Sequence, residues 1–287
     1  MIRIQSAGRL GNQLFIWAFA KYIKGLHHER VVIFNDSFHA GELSELQEFM
    51  RATVQADQVD LKQMNTLGLI TKIADKFSSM NAKFGQAFGH FFEIQQQANP
   101  YLYLEPIATS GAIIRGFFQN PAYAEAVHSS VIADLNPYTL RILDEKRSNL
   151  NSVLLRNDYQ VLHIRRGDYI GSSFGVVDLQ YLNGQLRADL PLIVTTDSDI
   201  SRVDLPTFIK PKEIFTPQTA SGWEAISIIA GAKRVYSSNS TLSWWGSYVA
   251  LNRGAEVFLP EPWYKSISVP EFHFKTSRMK VIPAQFI

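Results

Sequence analysis

The chain has 287 residues, a formal net charge of +2 and no cysteine. This length suits one large domain or two ordinary ones. Because cysteine is absent, disulfide scaffolds, thiolate zinc sites and cysteine nucleophiles are excluded. The net charge is too small to favour nucleic acid as the main partner. A hydrophobic fraction of 46% with 19% charged residues is typical of soluble globular proteins.

The N-terminal residues MIRIQSAGRLGNQ lack the charged-then-apolar order of a signal peptide. No apolar run in the sequence reaches the ~20 residues that are needed to cross a bilayer. We therefore expect a cytoplasmic protein, of bacterial type, rather than one with a membrane anchor.

The chain opens with the pattern strand, loop, helix, strand. Apolar and polar residues alternate in IRIQ, and two glycines then interrupt the alternation in GRLGNQ (8–13). Helical spacing of apolar residues follows over 12–26, and a second strand is predicted at Val31–Phe34. This order is typical of the first part of a doubly wound sheet.

Residues 42–99 have a mostly helical character. Residues 113–127 predict a strand, a turn at Asn120-Pro121 and a helix, and another helix is predicted from about Tyr138 to Leu150.

A new alternation of strands and helices begins near Asp158. Helices of about ten residues between short strands favour right-handed crossovers and a parallel sheet. The predicted elements are a strand at 159–164, a helix at Leu179–Leu190, a strand at 192–196, a helix at 223–232, a strand at 234–238, a helix at 241–251 and a strand at 256–259. The predicted fold class is therefore α/β, with two Rossmann-like domains over 1–150 and 151–287.

The loop GRLGNQ joins the first strand to the first helix. Glycines there let the backbone approach a ligand closely, and a helix N-terminus presents unpaired N–H groups. An ordinary strand-to-helix turn explains the same spacing equally well.

The segment VLHIRRGDYI (161–170) is an apolar strand that ends in charged residues. Ligands bind at the carboxyl ends of strands in such sheets. By strand alternation, His163 and Arg165 share one face and Arg166 lies on the other. The guanidinium fork matches phosphate oxygens, and Asp168 could hold an arginine or act on a substrate. The alternative is a surface ion pair between Arg166 and Asp168, with His163 in the core.

The segment VYSSNSTLSWWGSYVA (235–250) predicts a strand that runs into a helix through Asn239, Ser240 and Thr241. These residue types cap helices well, and together with the helix dipole they form an anion site. Capping without a ligand is the alternative. Trp244 and Trp245 face different sides of this helix, so we expect at least one in the core and consider the other for a sugar or base platform.

In this order, GRLGNQ, HIRRGD and SNSTLSWWG resemble the bacterial α-1,2-fucosyltransferases, and GFFQNPAY (116–123) resembles a further segment of that family. The HxRRxD element is also similar to α-1,6- and protein O-fucosyltransferases, whereas the late Trp-Trp-Gly version points to the α-1,2 group.

The resemblance implies a GT-B-like fold with two domains facing across a cleft, an acceptor side in the N-terminal domain and GDP-fucose binding in the C-terminal domain. It implies inversion at the anomeric carbon, no metal and no separate cofactor. The implied acceptor is an oligosaccharide or glycolipid ending in galactose, and a glycolipid would bring the protein to the inner face of the cell membrane. The residues it maps to the donor are Gly11, Asn12, Gln13, His163, Arg165, Arg166, Asp168, Asn239, Ser240 and Thr241.

One departure from the family concerns an acidic pair shortly before the late Ser-Thr, where this chain has Glu224-Ala225. Glu224 is therefore our candidate for reading guanine, because a carboxylate can accept from its two adjacent donors. Favourable charge at a helix N-terminus is the alternative role.

Asp197 and Asp199 have the spacing of a metal-binding DxD, so a metal-dependent glycosyltransferase is one alternative. The same residues are typical of a turn after a strand, which is our preferred interpretation. A carbohydrate- or nucleotide-binding protein without catalysis is the other alternative. Asp168 and Asp178 both remain candidates for the catalytic base, and Arg165 is predicted as the main β-phosphate contact.

Overall fold

A computed structural model describes residues 1–27, 29–35, 44–53, 59–63, 94–97, 99–103, 113–150, 158–270 and 273–287. The chain divides into two compact units, Met1–Val131 and Ile132–Ile287. Each unit is built around a parallel sheet with helices, so the predicted α/β fold class is confirmed. The predicted arrangement of the two units across a cleft stays a prediction.

The first unit has strands β1 to β5 and helices α1 to α3 among its described residues. The strands are β1 Ile2–Gln5, β2 Val31–Asn35, β3 Asp60–Gln63, β4 Ile94–Gln96 and β5 Ile113–Arg115. The helices are α1 Leu10–His27, α2 Ser44–Ala52 and α3 Pro121–Ala126. The sheet order is β3-β2-β1-β5-β4, and all of these pairings are parallel.

The core of the first unit explains its opening elements. Ile2 and Ile4 are fully buried on β1, and the apolar residues of α1 are buried around most of the helix because it packs against the sheet on one side and against other helices, including α3, on the other. The predicted turn at Asn120-Pro121 is confirmed: Asn120 caps α3 by accepting from Ala122 N at 2.9 Å, and Pro121 occupies the first turn, where no N–H is needed.

The second unit contains a six-stranded parallel sheet within the described residues, in the order β11-β10-β9-β6-β7-β8. The strands are β6 Gln160–Ile164, β7 Leu192–Thr196, β8 Glu213–Phe215, β9 Arg234–Tyr236, β10 Glu256–Glu261 and β11 Lys280–Pro283. The helices are α4 His128–Leu150, α5 Gly222–Ala230 and α6 Thr241–Asn252. Strands β8 and β11 were not predicted from the sequence.

Helix α4 determines where the chain divides. The sequence pattern placed the boundary near residue 150, at the end of this helix, whereas the structure places it close to the start of the helix. Most of α4 is held by the second unit: Arg253 Nε donates to Asn136 Oδ1 at 2.6 Å, and the ring of Tyr138 packs edge-on against Trp223 at 4.7 Å. The helix also begins earlier than the predicted Tyr138 and includes Pro137.

The predicted helix at Leu179–Leu190 is wrong. A short 3-10 helix, Leu179–Leu182, is followed by turns that include Gly184 at φ +76°. The side chain of Gln160 donates to the carbonyls of Arg187 and Leu190, at 2.6 and 2.8 Å, so a buried side chain satisfies backbone groups that a helix would otherwise pair.

The mostly helical prediction for residues 42–99 is wrong at β3 and β4, which are strands, and agrees with α2. The stretch 64–93 lies outside the described residues. Among the helices that are described, none combines the length and the apolar character needed to cross a membrane.

Candidate active site

The strand order of the second unit places two of the predicted motifs side by side. From β6 the chain moves outward through β7 and β8, and it then returns to the other side of β6 to form β9. The direction of winding therefore reverses between β6 and β9, and ligands of open α/β sheets bind at the carboxyl edge beside such a reversal. The segments that leave these two strands there are 165–168 and 237–241.

Arg165 is held by two carboxylates beyond the end of β6. Its Nη2 donates to Asp168 Oδ1 at 2.5 Å, and its Nη1 lies 2.9 Å from Asp197 Oδ2. The guanidinium stands 4.9 Å from the ring centre of Tyr169, and the side chain is 14% exposed. The site thus contains a cation in a fixed position at the edge of the sheet.

The predicted alternative, an ion pair between Arg166 and Asp168, is wrong, because Arg165 is the partner of Asp168. Strand β6 ends at Ile164, and residues Gly167–Tyr169 form a 3-10 turn. That turn brings positions 165 and 168 together. We predicted that Arg165 and Arg166 lie on opposite faces of the sheet because side chains alternate along a strand. Both residues lie beyond the end of the strand, so this rule does not apply to them.

Asp197, at the end of β7, holds the turn after β6. Its Oδ1 accepts from the backbone N of Arg166 at 2.8 Å, and Ser198 Oγ accepts from Gly167 N at 2.9 Å. A Cβ on Gly167 would lie 2.4 Å from Asp197 Oδ2, so a larger residue there would displace this carboxylate from Arg165. Asp197 is thus a positioning residue for Arg165. We did not predict this role from the sequence, although the position of Asp197 directly after a neighbouring strand indicated that it could lie near Arg165.

His163 is buried on β6 opposite Thr195, and its Nδ1 lies 3.0 Å from Thr195 Oγ1. Burial lowers the pKa of His163 to about 4; the Asp197 carboxylate acts in the opposite direction and the Arg165 cation reinforces the lowering. The imidazole is therefore neutral at neutral pH. It can orient or accept a hydrogen bond, but it adds no positive charge for a phosphate.

Asn239 is fully buried after β9, and its Nδ2 donates to the carbonyls of Phe174 and Gly175, at 3.2 and 3.0 Å. Ser240 precedes helix α6 without a capping bond from its side chain, while its carbonyl accepts from Trp244 N at 2.9 Å. The Ser240 hydroxyl therefore does not cap helix α6. Helix α6 begins at Thr241, as the sequence predicted, and its N-terminus lies at the reversal point.

The first unit has a similar reversal between β1 and β5, where GRLGNQ leaves β1 and GFFQNPAY leaves β5. Gln119 Nε2 donates to Asn12 Oδ1 at 2.8 Å, which joins the two segments, and Gln13 Nε2 donates to the carbonyl of Gly8 at 2.8 Å. Helix α1 begins at Leu10, before the predicted start. Gly11, Asn12 and Gln13 therefore belong to the first turn of a helix rather than to a loop.

The sequence profile of glycosyl transferase family 11 matches residues 1–275 of this chain. The chain belongs to glycosyl transferase family 11. Membership confirms the family resemblance that the motifs predicted and makes this protein a glycosyltransferase.

Other similarities of this family 11 glycosyltransferase are more distant. It is 21% identical to the O-antigen biosynthesis glycosyltransferase WbnK of Escherichia coli, over 90% of this chain and 93% of that protein. The structure of the fucosyltransferase NodZ from Bradyrhizobium is similar with a TM-score of 0.49 and 12% identity, over 85% of this chain and 90% of NodZ. A structure of NodZ α-1,6-fucosyltransferase soaked with GDP-fucose also has a TM-score of 0.49 and 12% identity, with coverage of 86% and 92%.

Glu224 of the glycosyltransferase lies in the first turn of α5. Its carboxylate accepts from the backbone N of Ser221 at 2.7 Å and lies 2.9 Å from Lys146 Nζ. Burial by itself would raise the pKa of Glu224, but the hydrogen bonds from Ser221 and the Lys146 ammonium outweigh it and lower the pKa. The residue therefore has the helix-terminal role that was the alternative to guanine recognition, and guanine recognition stays a prediction.

Trp244 and Trp245 are both fully buried in the second unit. Their rings pack edge-on at 4.9 Å, and Trp244 Nε1 donates to the carbonyl of Phe274 at 2.8 Å. The expectation of at least one core tryptophan is confirmed, and neither ring offers a platform for a sugar or base.

The metal alternative rests on Asp197 and Asp199. Both oxygens of Asp197 lie against groups of the protein itself, Oδ1 against Arg166 N and Oδ2 against Arg165, whereas Asp199 is exposed. Within the described part of the chain, no group of three His, Asp or Glu side chains is placed to hold a metal ion.

Proposed function

We propose that this glycosyltransferase transfers L-fucose from GDP-fucose to the 2-hydroxyl of a galactoside, with inversion at the anomeric carbon and without a metal ion or other cofactor. Family 11 membership supports sugar transfer. The motif GRLGNQ, the HIRRGD turn and the late Trp-Trp-Gly, which resemble the α-1,2-fucosyltransferases, support the choice of donor sugar and linkage.

The observation that carries the proposal is the position of Arg165 and of the α6 N-terminus at one reversal point of the sheet. Cleavage of the bond between sugar and phosphate leaves extra negative charge on the β-phosphate of GDP. Cationic groups that are already fixed in place lower the barrier to such a step more than groups that must reorganise. Arginine and helix N–H groups provide this stabilisation without a metal.

Arg165 is the main β-phosphate contact in this proposal. A guanidinium has five N–H donors, and the two carboxylates that hold Arg165 engage only its Nη atoms. Its Nε is buried and has no hydrogen-bond partner among the described residues, so the donors left for a phosphate are the second N–H groups of the two Nη atoms. Arg166 supports it: the backbone N of Arg166 is fixed by Asp197. The Arg166 cation also acts on Asp204, whose pKa is lowered mainly by hydrogen bonds from Ser201 and further by this cation.

Inversion requires a single displacement. The acceptor oxygen attacks the anomeric carbon from the face opposite the phosphate, the bond to the phosphate oxygen breaks, and the hydroxyl proton is released. Asp168 and Asp178 remain the candidate bases, and the departing phosphate is a third acceptor. Asp168 is paired with Arg165, while Asp178 accepts from Gln180 N at 3.0 Å and caps a 3-10 helix.

The acceptor that fits this proposal is a terminal galactose of a bacterial surface saccharide, since WbnK, a relative over most of both chains, is named for O-antigen biosynthesis. A lipid-linked acceptor would place the reaction in the cytoplasm at the inner face of the membrane.

The experiment that tests the proposal measures GDP release from GDP-fucose with lactose as acceptor, in excess EDTA. UDP-galactose and GDP-mannose serve as matched donors that differ in base and in sugar. NMR of the product gives the linkage and the anomeric configuration. A fucosylated product with a 2-linked galactose supports the proposal, whereas GDP release that depends on an added divalent cation, or transfer from UDP-galactose instead, contradicts it.

A further inference from the structure

Phe118 has an unusual backbone conformation at the reversal point of the first unit. Its φ is +48°, and it is the one non-glycine residue with a positive φ in the described part of the chain. This region of φ is unfavourable for a bulky side chain. Such conformations persist where the surroundings enforce them, and they are concentrated at sites that bind ligands.

Several contacts enforce the conformation of Phe118. Its ring stacks on Phe19 with a centroid distance of 3.8 Å and an interplanar angle of 1°. Its backbone N donates to Gln97 Oε1 at 2.9 Å, and its carbonyl accepts from Asn120 N at 2.7 Å. Gln97 also packs so closely on Gly116 that a Cβ there would lie 2.6 Å from Gln97 Cβ. The turn 116–120 is therefore held rigidly.

The result of this turn is that two consecutive phenylalanines have opposite environments. Phe118 is 3% exposed, whereas Phe117 is 38% exposed. Phe117 stands at the carboxyl end of β5, beside β1, and makes no ring contact with the described residues. A rigid backbone thus presents an apolar ring at the edge of the sheet where ligands of such folds bind.

The neighbouring residues are suited to a sugar. Gln119, two residues after Phe117 in the chain, donates from its Nε2 to Asn12 Oδ1 at 2.8 Å across the reversal point. Sites for neutral sugars combine an aromatic ring, which covers a face of C–H groups, with amides that bind the hydroxyls. Galactose has such a face, because the hydrogens on C3, C4 and C5 lie on one side of its ring.

We propose that Phe117 stacks on the C–H face of the acceptor galactoside and that Gln97 and Phe118 are positioning residues for it. The inference rests on the proposed function, since it assigns the acceptor to the first unit of a fucosyltransferase. Correct orientation of the acceptor hydroxyl is a large part of the rate of a bimolecular transfer, so this ring contributes to the choice of acceptor.

The test compares Phe117→Ala, Phe117→Leu and Phe117→Tyr with the unchanged protein. The readouts are kcat and KM for lactose, the Kd for GDP and the melting temperature. We expect Phe117→Ala to raise the KM for lactose about tenfold, with Phe117→Leu close to it. Phe117→Tyr keeps the ring and should restore the KM to within about twofold. The Kd for GDP should stay unchanged in all three.

Leu140→Ala is the matched control, because Leu140 is 40% exposed on α4 and is similarly apolar. It should leave every readout unchanged. The inference is overturned if Phe117→Ala leaves the KM for lactose within twofold, or if Phe117→Leu restores it as well as Phe117→Tyr does. Failure of the proposed function gives a different result, because it shows in the unchanged protein without any variant: lactose is not fucosylated, or transfer needs an added divalent cation or uses UDP-galactose instead of GDP-fucose.

Discussion

Asp197 at the end of β7 lies 2.9 Å from Arg165 beyond the end of β6, so a carboxylate on one strand positions the cation on the next. The same carboxylate fixes the backbone of Arg166 through its other oxygen. One side chain therefore orders both arginines, and the site depends on a residue that need not touch the substrate.

Asp197→Asn should lower kcat/KM for GDP-fucose about a hundredfold, because small displacements of catalytic groups have effects of that size. The change keeps an oxygen for Arg166 N and removes the charge beside Arg165. Asp199→Asn is the control, since Asp199 is exposed, and it should have little effect. Equal losses in the two variants, with recovery in manganese, would instead favour metal binding by this pair.

Arg165→Ala should reduce kcat about a hundred- to a thousandfold, the usual effect of removing a donor aimed at developing charge. Arg165→Lys should also fail, because an ammonium does not reproduce the guanidinium fork. Arg187→Ala is the control, as Arg187 forms an exposed pair with Asp189. All rates are measured in excess EDTA. Loss of activity in EDTA together with an active Arg165→Ala variant would show that another group binds the phosphate.

Glu224→Gln separates the two roles of Glu224. The pKa of this carboxyl is lowered in the folded protein, so it stabilises the fold above its unfolded pKa, and that contribution is lost as the pH falls through the lower folded pKa. We expect the variant to unfold at lower urea concentration at pH 7, with a smaller difference at acid pH. Glu145→Gln, which removes one partner of the exposed pair with Arg141, is the control.

The guanine role of Glu224 is measured in the same variant by the Kd values for GDP, ADP and UDP. A reduced preference for GDP is expected if the carboxylate reads guanine. If the preference is unchanged while the urea midpoint falls, Glu224 serves the helix and Lys146 and does not contact the base.

His163→Gln should change how the free energy of unfolding depends on pH. The pKa of His163 falls from the ordinary 6.5 to about 4 in the folded protein, so between these values the unfolded chain binds an extra proton. The contribution of the neutral His163 to the free energy of unfolding should therefore be fully present above about pH 6.5 and should decline as the pH falls toward 4. The variant should lose that component of the decline, as measured by urea midpoints across pH. His128→Gln, on α4, is the control, and an identical pH profile in both variants would argue against a neutral buried His163.

Much of the second unit could be predicted from the sequence. The strand at 192–196 and the helix starting at Thr241 were placed correctly because short apolar runs and helical spacing reflect local burial. The predicted helix at 179–190 was wrong because of a long-range contact: the side chain of Gln160, on β6, donates to the carbonyls of Arg187 and Leu190. Strands β3 and β4 were missed for a related reason: pairing in a sheet depends on residues far apart in the chain.

The sequence by itself determined the chemistry available at the site: two arginines after a strand, and a polar turn before a helix. Local order along the chain is enough for that conclusion. Only the tertiary structure decided which groups meet. The strand order brought β6 beside both β7 and β9, and the 3-10 turn paired Arg165 rather than Arg166 with Asp168. Asp197 acquired its role through the parallel register of β6 and β7, because the partners of a strand end come from neighbouring strands and not from neighbouring positions in the sequence.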